Sequence, residues 1–357
     1  MRRACELEFS SYNILLSVVF FCIFTLSLIG NCLVIITVLS KTHRSGSITN
    51  FYLLNLAIAD LLRSVVCMPL TLLSELTRCW ILGPLMCKLV AFLQPVGVCA
   101  SAYTLAVIAV ERYYAICQPL QLRKWKTKKR ALLTISMVWT FSFVCNIGTL
   151  FIFDSVRYRT QWTCDTYGGP LMNFLYQLYV TLVLLLIPLC VMVSLYGHVI
   201  NSLSTAIVGD NPALTENLSI VSSSLSFRFR FQEKILIAKK KVTRMLMTIV
   251  VAFAVCWLPN FLWWLLVRAS DFAGAPVWHS GLNMALTTLT YISSTTNPIT
   301  YCFMNKRFRS SVLSHCAEMK RRVSTRKSNG KSVVPLVNIE LVIEEMIYHT
   351  SKSCIFT

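Results

Sequence analysis

Asp60 and the adjacent pair Glu111-Arg112 are ionisable groups set in apolar sequence, and they are where chemistry is to be sought first. Asp60 follows Asn55-Leu56-Ala57-Ile58-Ala59, so it falls in the middle of a hydrophobic run. A carboxylate at the centre of a membrane helix costs about 2.5 to 3.5 kcal/mol on insertion scales, and partners must offset that. The polar residues able to do so on other apolar runs are Asn31, Ser101, Ser294 and Asn297. Such a set suits a small cation or a water network inside a helix bundle; the plainer alternative is a structural carboxylic acid kept neutral by burial. Glu111 and Arg112 close the apolar run 101–110, where a helix meets the aqueous interface and charged ends can reach water.

Three prolines interrupt apolar runs: Pro188, Pro259 and Pro298. Each lacks an N–H and frees the carbonyl four residues earlier, which makes a kink or a weak point. Trp257 precedes Pro259 by two residues, and Phe253 lies one helical turn before Trp257 on the same face. An aromatic beside a kink is either core packing or a lever. Asn297, Pro298 and Tyr301 form a second such place, with Asn297 able to satisfy a freed carbonyl. Catalysis finds no support: the five histidines are scattered, without metal-ligand spacing, nucleophile motif or phosphate loop.

The elements that must position these groups follow from composition. The chain is 55% hydrophobic and 14% charged over 357 residues, with mean hydropathy +0.63. A soluble domain carries roughly 25% charged residues, so this is a membrane protein. Seven apolar runs, near 14–39, 51–73, 86–117, 132–153, 173–200, 235–267 and 282–304, each reach the length that a bilayer core demands. Helices are the expected form, since each span must satisfy its own backbone. The fold class is therefore an all-α membrane protein, a seven-transmembrane helix bundle. A short N-terminus (1–13) precedes the seven-span body 14–304. A Ser-rich connection at about 202–234, a short amphipathic helix at 305–316 and a polar, largely disordered tail at 317–357 complete the plan.

The net charge of +19 does not point to nucleic acid, because the basic residues sit in connections between apolar runs. Lys41, Arg44, the segment 123–130, the segment 239–244 and the tail from Lys306 carry most of them. The positive-inside rule then places the N-terminus outside and the C-terminus in the cytosol. Of fifteen cysteines, most lie inside apolar runs as small hydrophobes. Cys87 and Cys164 face the oxidising side, where a bridge is allowed, and Cys79 competes for it. Cys316, in a basic segment just past the seventh run, has the setting of a palmitoylation site.

Taken in order, these motifs make the chain resemble a class A (rhodopsin-like) G-protein-coupled receptor over nearly its whole length. The carriers are Gly30-Asn31, Asn55 through Asp60, Glu111-Arg112-Tyr113, Trp139, Pro188 with Tyr196, Cys256-Trp257-Leu258-Pro259 and Asn297-Pro298-Ile299-Thr300-Tyr301. Within that class it is similar to neuropeptide receptors of the cholecystokinin/gastrin type. Pro119-Leu120-Gln121-Leu122-Arg123-Lys124-Trp125, Lys240-Lys241-Val242-Thr243-Arg244 and Tyr301-Cys302-Phe303-Met304-Asn305-Lys306-Arg307-Phe308 carry that likeness.

The resemblance implies a plasma-membrane receptor, not an enzyme, for an extracellular peptide, with no cofactor beyond an allosteric Na⁺ at Asp60. Peptide contacts would come from Cys67, Gln94, Trp264, Arg268 and Tyr291. The switch would comprise Glu111, Arg112, Tyr113, Tyr196, Phe253, Trp257, Pro259, Asn297, Pro298 and Tyr301. Sodium would be held at rest by Asp60, Ser101 and Asn297, with Asn31 and Ser294 in the surrounding polar network. Partners would be a heterotrimeric G protein, Gq-type favoured, then arrestin, receptor kinases and membrane lipids.

Lys239 stands where some such receptors place an acid that clamps the arginine, which implies basal signalling. The outer half departs from the cholecystokinin pattern. Asp165, not arginine, follows Cys164; Trp264 replaces an asparagine; Arg268 falls one residue late. A receptor for another amidated peptide, orexin-like or RFamide-like, is the near alternative, and a transporter or channel the remote one. A photoreceptor would need a lysine in 282–304, and an amine receptor an aspartate at Gln94; neither is present.

Overall fold

The structure, a computed structural model, describes residues 5, 10–45, 48–119, 127–158, 161–208, 223–304, 308–310 and 312–314. Seven long helical spans form one bundle. The first is Ser11–Ser45; the second runs Ile48–Leu62, a π turn at Arg63–Cys67, then Met68–Thr77. The third is Gly83–Cys117, and the fourth Lys128–Asn146 followed by Thr149–Ile152. The fifth runs Pro170–Thr181, a second π turn at Leu182–Leu186, then Ile187–Val208. The sixth is Ser223–Phe272 and the seventh Ser280–Met304. The expected connection at 202–234 is thus helical up to Val208 and again from Ser223, since the fifth and sixth helices run past their apolar segments.

Six of the seven are long and apolar enough to cross a membrane on those criteria alone. The seventh is diluted by Thr287, Thr288, Thr290, Ser293, Ser294, Thr295, Thr296 and Thr300. Several of these hydroxyls donate to carbonyls of their own helix one turn back, such as Thr288 to Met284 and Thr300 to Thr296, both at 2.7 Å. That back-bonding satisfies a hydroxyl locally, so a Thr-rich helix remains compatible with a bilayer.

The bundle is apolar outside and keeps its polar groups within, set in a hydrophobic core. Phe21, Phe151, Val144 and Val251 stand exposed, whereas Asn31, Asp60, Arg63 and Ser294 are fully buried. A contiguous apolar exterior has no counterpart in water-soluble monomers; with lipid as the outer solvent it costs nothing. The chain is a multi-pass membrane protein. Helices one and seven approach closely at Gly30, where an added Cβ would meet Pro298 Cγ at 2.8 Å.

One element is absent from the sequence reading. Between the fourth and fifth spans, Phe153–Tyr158 (β1) and Gln161–Thr166 (β2) form an antiparallel hairpin with Ser155 opposite Cys164. Its Phe153, Val156, Tyr158, Trp162, Thr163 and Thr166 are residue types that fit a pleated ribbon. Past the seventh span, residues 308–310 and 312–314 are helical, and Phe308 and Val312 are buried against the bundle.

Candidate functional site

At the hairpin end a cavity of about 990 Å³ opens between the spans. The hairpin forms part of its wall and is fastened twice. A Cys87–Cys164 disulfide ties β2 to the third span, and the backbone N–H of Trp80 donates to Trp162 O at 2.7 Å. Lys88 and Asp154 add an ion pair at 3.2 Å. The Asp154 carboxyl is held below the usual carboxylate range, first by the Ser155 backbone N–H and then by Lys88. Cys79 does not compete for Cys164: it is buried and bridged to Cys5. That second bridge was beyond sequence reasoning, because Cys5 lies in a short polar leader with no feature to single it out.

Of the five residues expected to meet a ligand, Gln94, Trp264 and Arg268 line this cavity. Cys67 and Tyr291 lie in the layer beneath and are fully buried, with the Tyr291 hydroxyl 2.7 Å from Thr71 Oγ1. The π turn that ends at Cys67 adds a residue to the helical turn and re-aims the residues around it. Arg268 is not a free cation. Its Nη2 donates to Asp165 Oδ1 at 2.8 Å, its Nη1 lies 3.8 Å from Asp271, and its guanidinium sits 5.2 Å from the Trp264 ring centroid. Trp264 in turn packs on Trp278 at 5.8 Å. The residue that departs from the family pattern after Cys164 therefore neutralises the arginine that also departs from it.

Two cavity residues escaped the sequence reading. Asn260 and Asn283 both line it, and the amide oxygen of each is buried without a hydrogen-bond partner among the described residues. A buried acceptor left unpaired costs about 1 to 3 kcal/mol, so these two oxygens await donors. Asn260 follows Pro259 directly, on the turn that the proline opens.

Trp257 forms the floor. Its ring stacks obliquely between Phe253 at 6.1 Å and Phe261 at 5.8 Å, a ladder along the sixth span across Pro259. Beneath it is the largest fully buried side chain of the described residues, Arg63, 1% exposed. Its guanidinium carbon lies 4.6 Å from the Trp257 ring centroid and 5.6 Å from that of Tyr291. Nη2 donates to Thr290 O at 3.0 Å, and Nη1 reaches Ser294 Oγ at 3.3 Å and Ser293 Oγ at 3.4 Å. Sequence reasoning passed over Arg63, although its place three residues after Asp60 puts both on one helix face.

Asp60 is 2% exposed and sits one turn deeper. Asn297 Nδ2 donates to its Oδ2 at 2.7 Å, and Ser101 Oγ approaches Oδ1 at 3.5 Å. Asn31 does not touch the carboxylate. Its Nδ2 donates to Ser27 O at 2.9 Å and Ser294 O at 3.0 Å, tying the first span to the seventh. Asp60, Arg63, Ser101, Trp257 and Asn297 line one small cavity, with about 10 Å³ open to the centre of a water molecule. That is room for about one water. The oxygens expected to surround Na⁺ are engaged otherwise: Ser294 Oγ receives Arg63, and Asp60 Oδ2 receives Asn297. A guanidinium on the same cavity adds like charge. The residues present do not fit a sodium ion.

At the opposite end, Arg112 Nη2 lies 3.1 Å from Glu111 Oε1. Thr49 Oγ1 is 3.1 Å from both Glu111 carboxylate oxygens and accepts from Arg112 Nη2, which closes a three-residue clasp between the second and third spans. Tyr113 meets Tyr114 and His198 edge to face. Tyr196 and Tyr301 are buried, and the Tyr301 hydroxyl has no hydrogen-bond partner among the described residues. Pro298 packs under Gly30. Trp139 Nε1 donates to Asn55 Oδ1 at 2.7 Å and Asn55 Nδ2 to Thr104 Oγ1 at 2.7 Å, linking spans two, three and four. The Lys239 side chain and Cys316 lie outside the described residues.

A ligand-sized cavity at one end, a clasped Glu-Arg pair at the other and a proline-broken aromatic ladder between them define a transducer's layout. The model of the 7 transmembrane receptor (rhodopsin family) matches residues 30–301. The chain belongs to that family of G-protein-coupled receptors. It is a receptor, not an enzyme, and the family requires no cofactor. The chain is 35% identical over 333 residues to the human cholecystokinin receptor type A, covering 80% of this chain and 77% of the relative. It is 31% identical over 354 residues to the mouse gastrin/cholecystokinin type B receptor, covering 83% and 77%. The Xenopus laevis cholecystokinin receptor is 33% identical over 343 residues, covering 82% and 74%.

Proposed function

We propose that this receptor binds an extracellular neuropeptide of the cholecystokinin/gastrin type and relays the event to a heterotrimeric G protein, Gq-type favoured. The similarity to cholecystokinin receptors along four-fifths of the chain carries this reading. The cavity supports it: Gln94, Trp264 and Arg268 line it, and the unpartnered oxygens of Asn260 and Asn283 suit the N–H groups of a peptide terminus. The paired state of Arg268 favours a peptide whose affinity does not rest on a sulfate group, since an anion there must first displace Asp165.

In this scheme peptide contact shifts Trp257, and the sixth span pivots at Pro259. Arg112 leaves Glu111 to meet the G protein, while Tyr196 and Tyr301 repack, with Asn297 and Pro298 as the yielding point of the seventh span. Arrestin and receptor kinases follow at the same end. The hairpin end faces outward at the plasma membrane, with the N-terminus outside, the C-terminus cytosolic and Cys316 acylated. The resting-state Na⁺ that the resemblance implies has no part in the scheme, because the Arg63 side chain lines the same small cavity as Asp60.

Cells expressing the receptor are exposed to amidated peptides, sulfated and unsulfated, of the cholecystokinin, orexin-like and RFamide-like kinds, with calcium as readout. A calcium response to cholecystokinin-type peptides that Arg112→Ala abolishes is expected. A response confined to another class would replace the ligand assignment. Ion or solute flux without any G-protein response would replace the function.

A further inference from the structure

We infer that Arg63 is the covalently tethered cation of the Asp60 site: its guanidinium takes the place of a mobile sodium ion and braces Trp257 from below. Four observations carry this. First, the two ionisable side chains lie on one face of the second span and line the same small cavity. Second, the guanidinium is positioned by a built site, not merely tolerated. It has Thr290 O, Ser293 Oγ and Ser294 Oγ on one side and the Trp257 and Tyr291 rings on the other.

Third, space has been made for it. An added Cβ at Gly97 on the third span would stand 2.7 Å from Arg63 Cγ and 3.1 Å from Cδ, so the arginine stem fills the volume of an absent methyl group. Fourth, the π turn begins at Arg63 itself, with the Met68 N–H reaching back to Arg63 O, a local change of pitch where the arginine leaves the helix. A buried charge persists in a membrane helix only with partners, and here the seventh span supplies them as Thr290 O, Ser293 Oγ and Ser294 Oγ, with Asp60 on the same cavity.

The consequence for regulation is direct. A diffusible ion can leave when the bundle rearranges, so its concentration biases the resting state; a tethered one cannot. The receptor is therefore indifferent to Na⁺, and the link between the polar core and the cavity floor runs through one side chain. This holds whichever peptide binds, and the test needs no ligand.

Purified receptor is unfolded thermally in NaCl, KCl and choline chloride, each at roughly 0.15 M. The wild-type midpoint is expected to differ between the salts by less than about 1 °C. Arg63→Leu, and separately Arg63→Gln as a polar replacement should the first fail to fold, open the site and are expected to gain a stabilisation of at least about 2 °C in NaCl over KCl. Adding Asp60→Asn to either variant is expected to remove that gain. A general structural role for the arginine would lower the midpoint in all three salts alike and create no selectivity for sodium. Sodium-selective stabilisation of the wild type overturns the inference, and so does a folded Arg63 variant that remains blind to sodium.

Discussion

Arg268 on the sixth span and Asp165 on the hairpin meet at 2.8 Å, with the arginine 13% and the aspartate 48% exposed. The pair joins the cavity wall to a strand held by the Cys87–Cys164 bridge, so the wall and the hairpin move together. Asp165→Asn removes the anion and leaves Arg268 with Asp271 at 3.8 Å. The expected outcome is a gain of about tenfold in affinity for sulfated over unsulfated peptide, roughly 1.4 kcal/mol. Competition binding on the variant and wild type measures it. Arg268→Ala should abolish the difference.

Asn260 and Asn283 line the same cavity, and their amide oxygens are buried without a hydrogen-bond partner among the described residues. A ligand N–H that satisfies one contributes about 0.5 to 1.5 kcal/mol net. Asn260→Ala should therefore weaken agonist binding by about 3- to 10-fold while leaving the thermal midpoint of the ligand-free receptor unchanged or slightly raised. Binding isotherms and unfolding curves on the same preparation separate the two effects.

The clasp of Thr49, Glu111 and Arg112 holds the arginine at the far end. Glu111→Gln keeps the shape and removes the charge, so Arg112 is held less firmly. Basal G-protein activation should rise severalfold, read as nucleotide exchange without agonist. Arg112→Ala should reduce agonist-driven exchange to background.

Trp139 donates to Asn55, whose own amide donates to Thr104. Trp139→Phe retains most of the ring and removes the donor, which strands the Asn55 oxygen in a buried position. A loss of about 1 to 3 kcal/mol is expected, seen as a lower thermal midpoint without a change in peptide affinity.

The spans, and the residues out of place within them, were legible because each rests on a strong local signal. Apolar length marks a span, and Asp60 or Pro259 announces itself by being out of place in one. Depth within the bundle was not legible. Cys67 lies at the end of a π turn that changes helical phase, and nothing in the run 63–67 marks a π turn from α-helix. Arg63 was overlooked for a related reason: a single cation barely lowers the hydropathy of a 30-residue span. Its spacing from Asp60 was the available clue. The departures at Asp165 and Arg268 were visible one at a time, but only the fold reveals that they meet. The Cys5–Cys79 bridge pairs residues 74 apart, one of them in a leader with no periodicity to read.

Cys5, the turn after the second span and the hairpin are each covalently pinned near the cavity mouth, by Cys5–Cys79 and Cys87–Cys164. The entrance is thus shaped in advance of any visitor, and an incoming flexible chain must itself surrender the conformational freedom that docking consumes. Analogues stiffened in their bound shape should profit here more than longer ones, because the host has little left to organise.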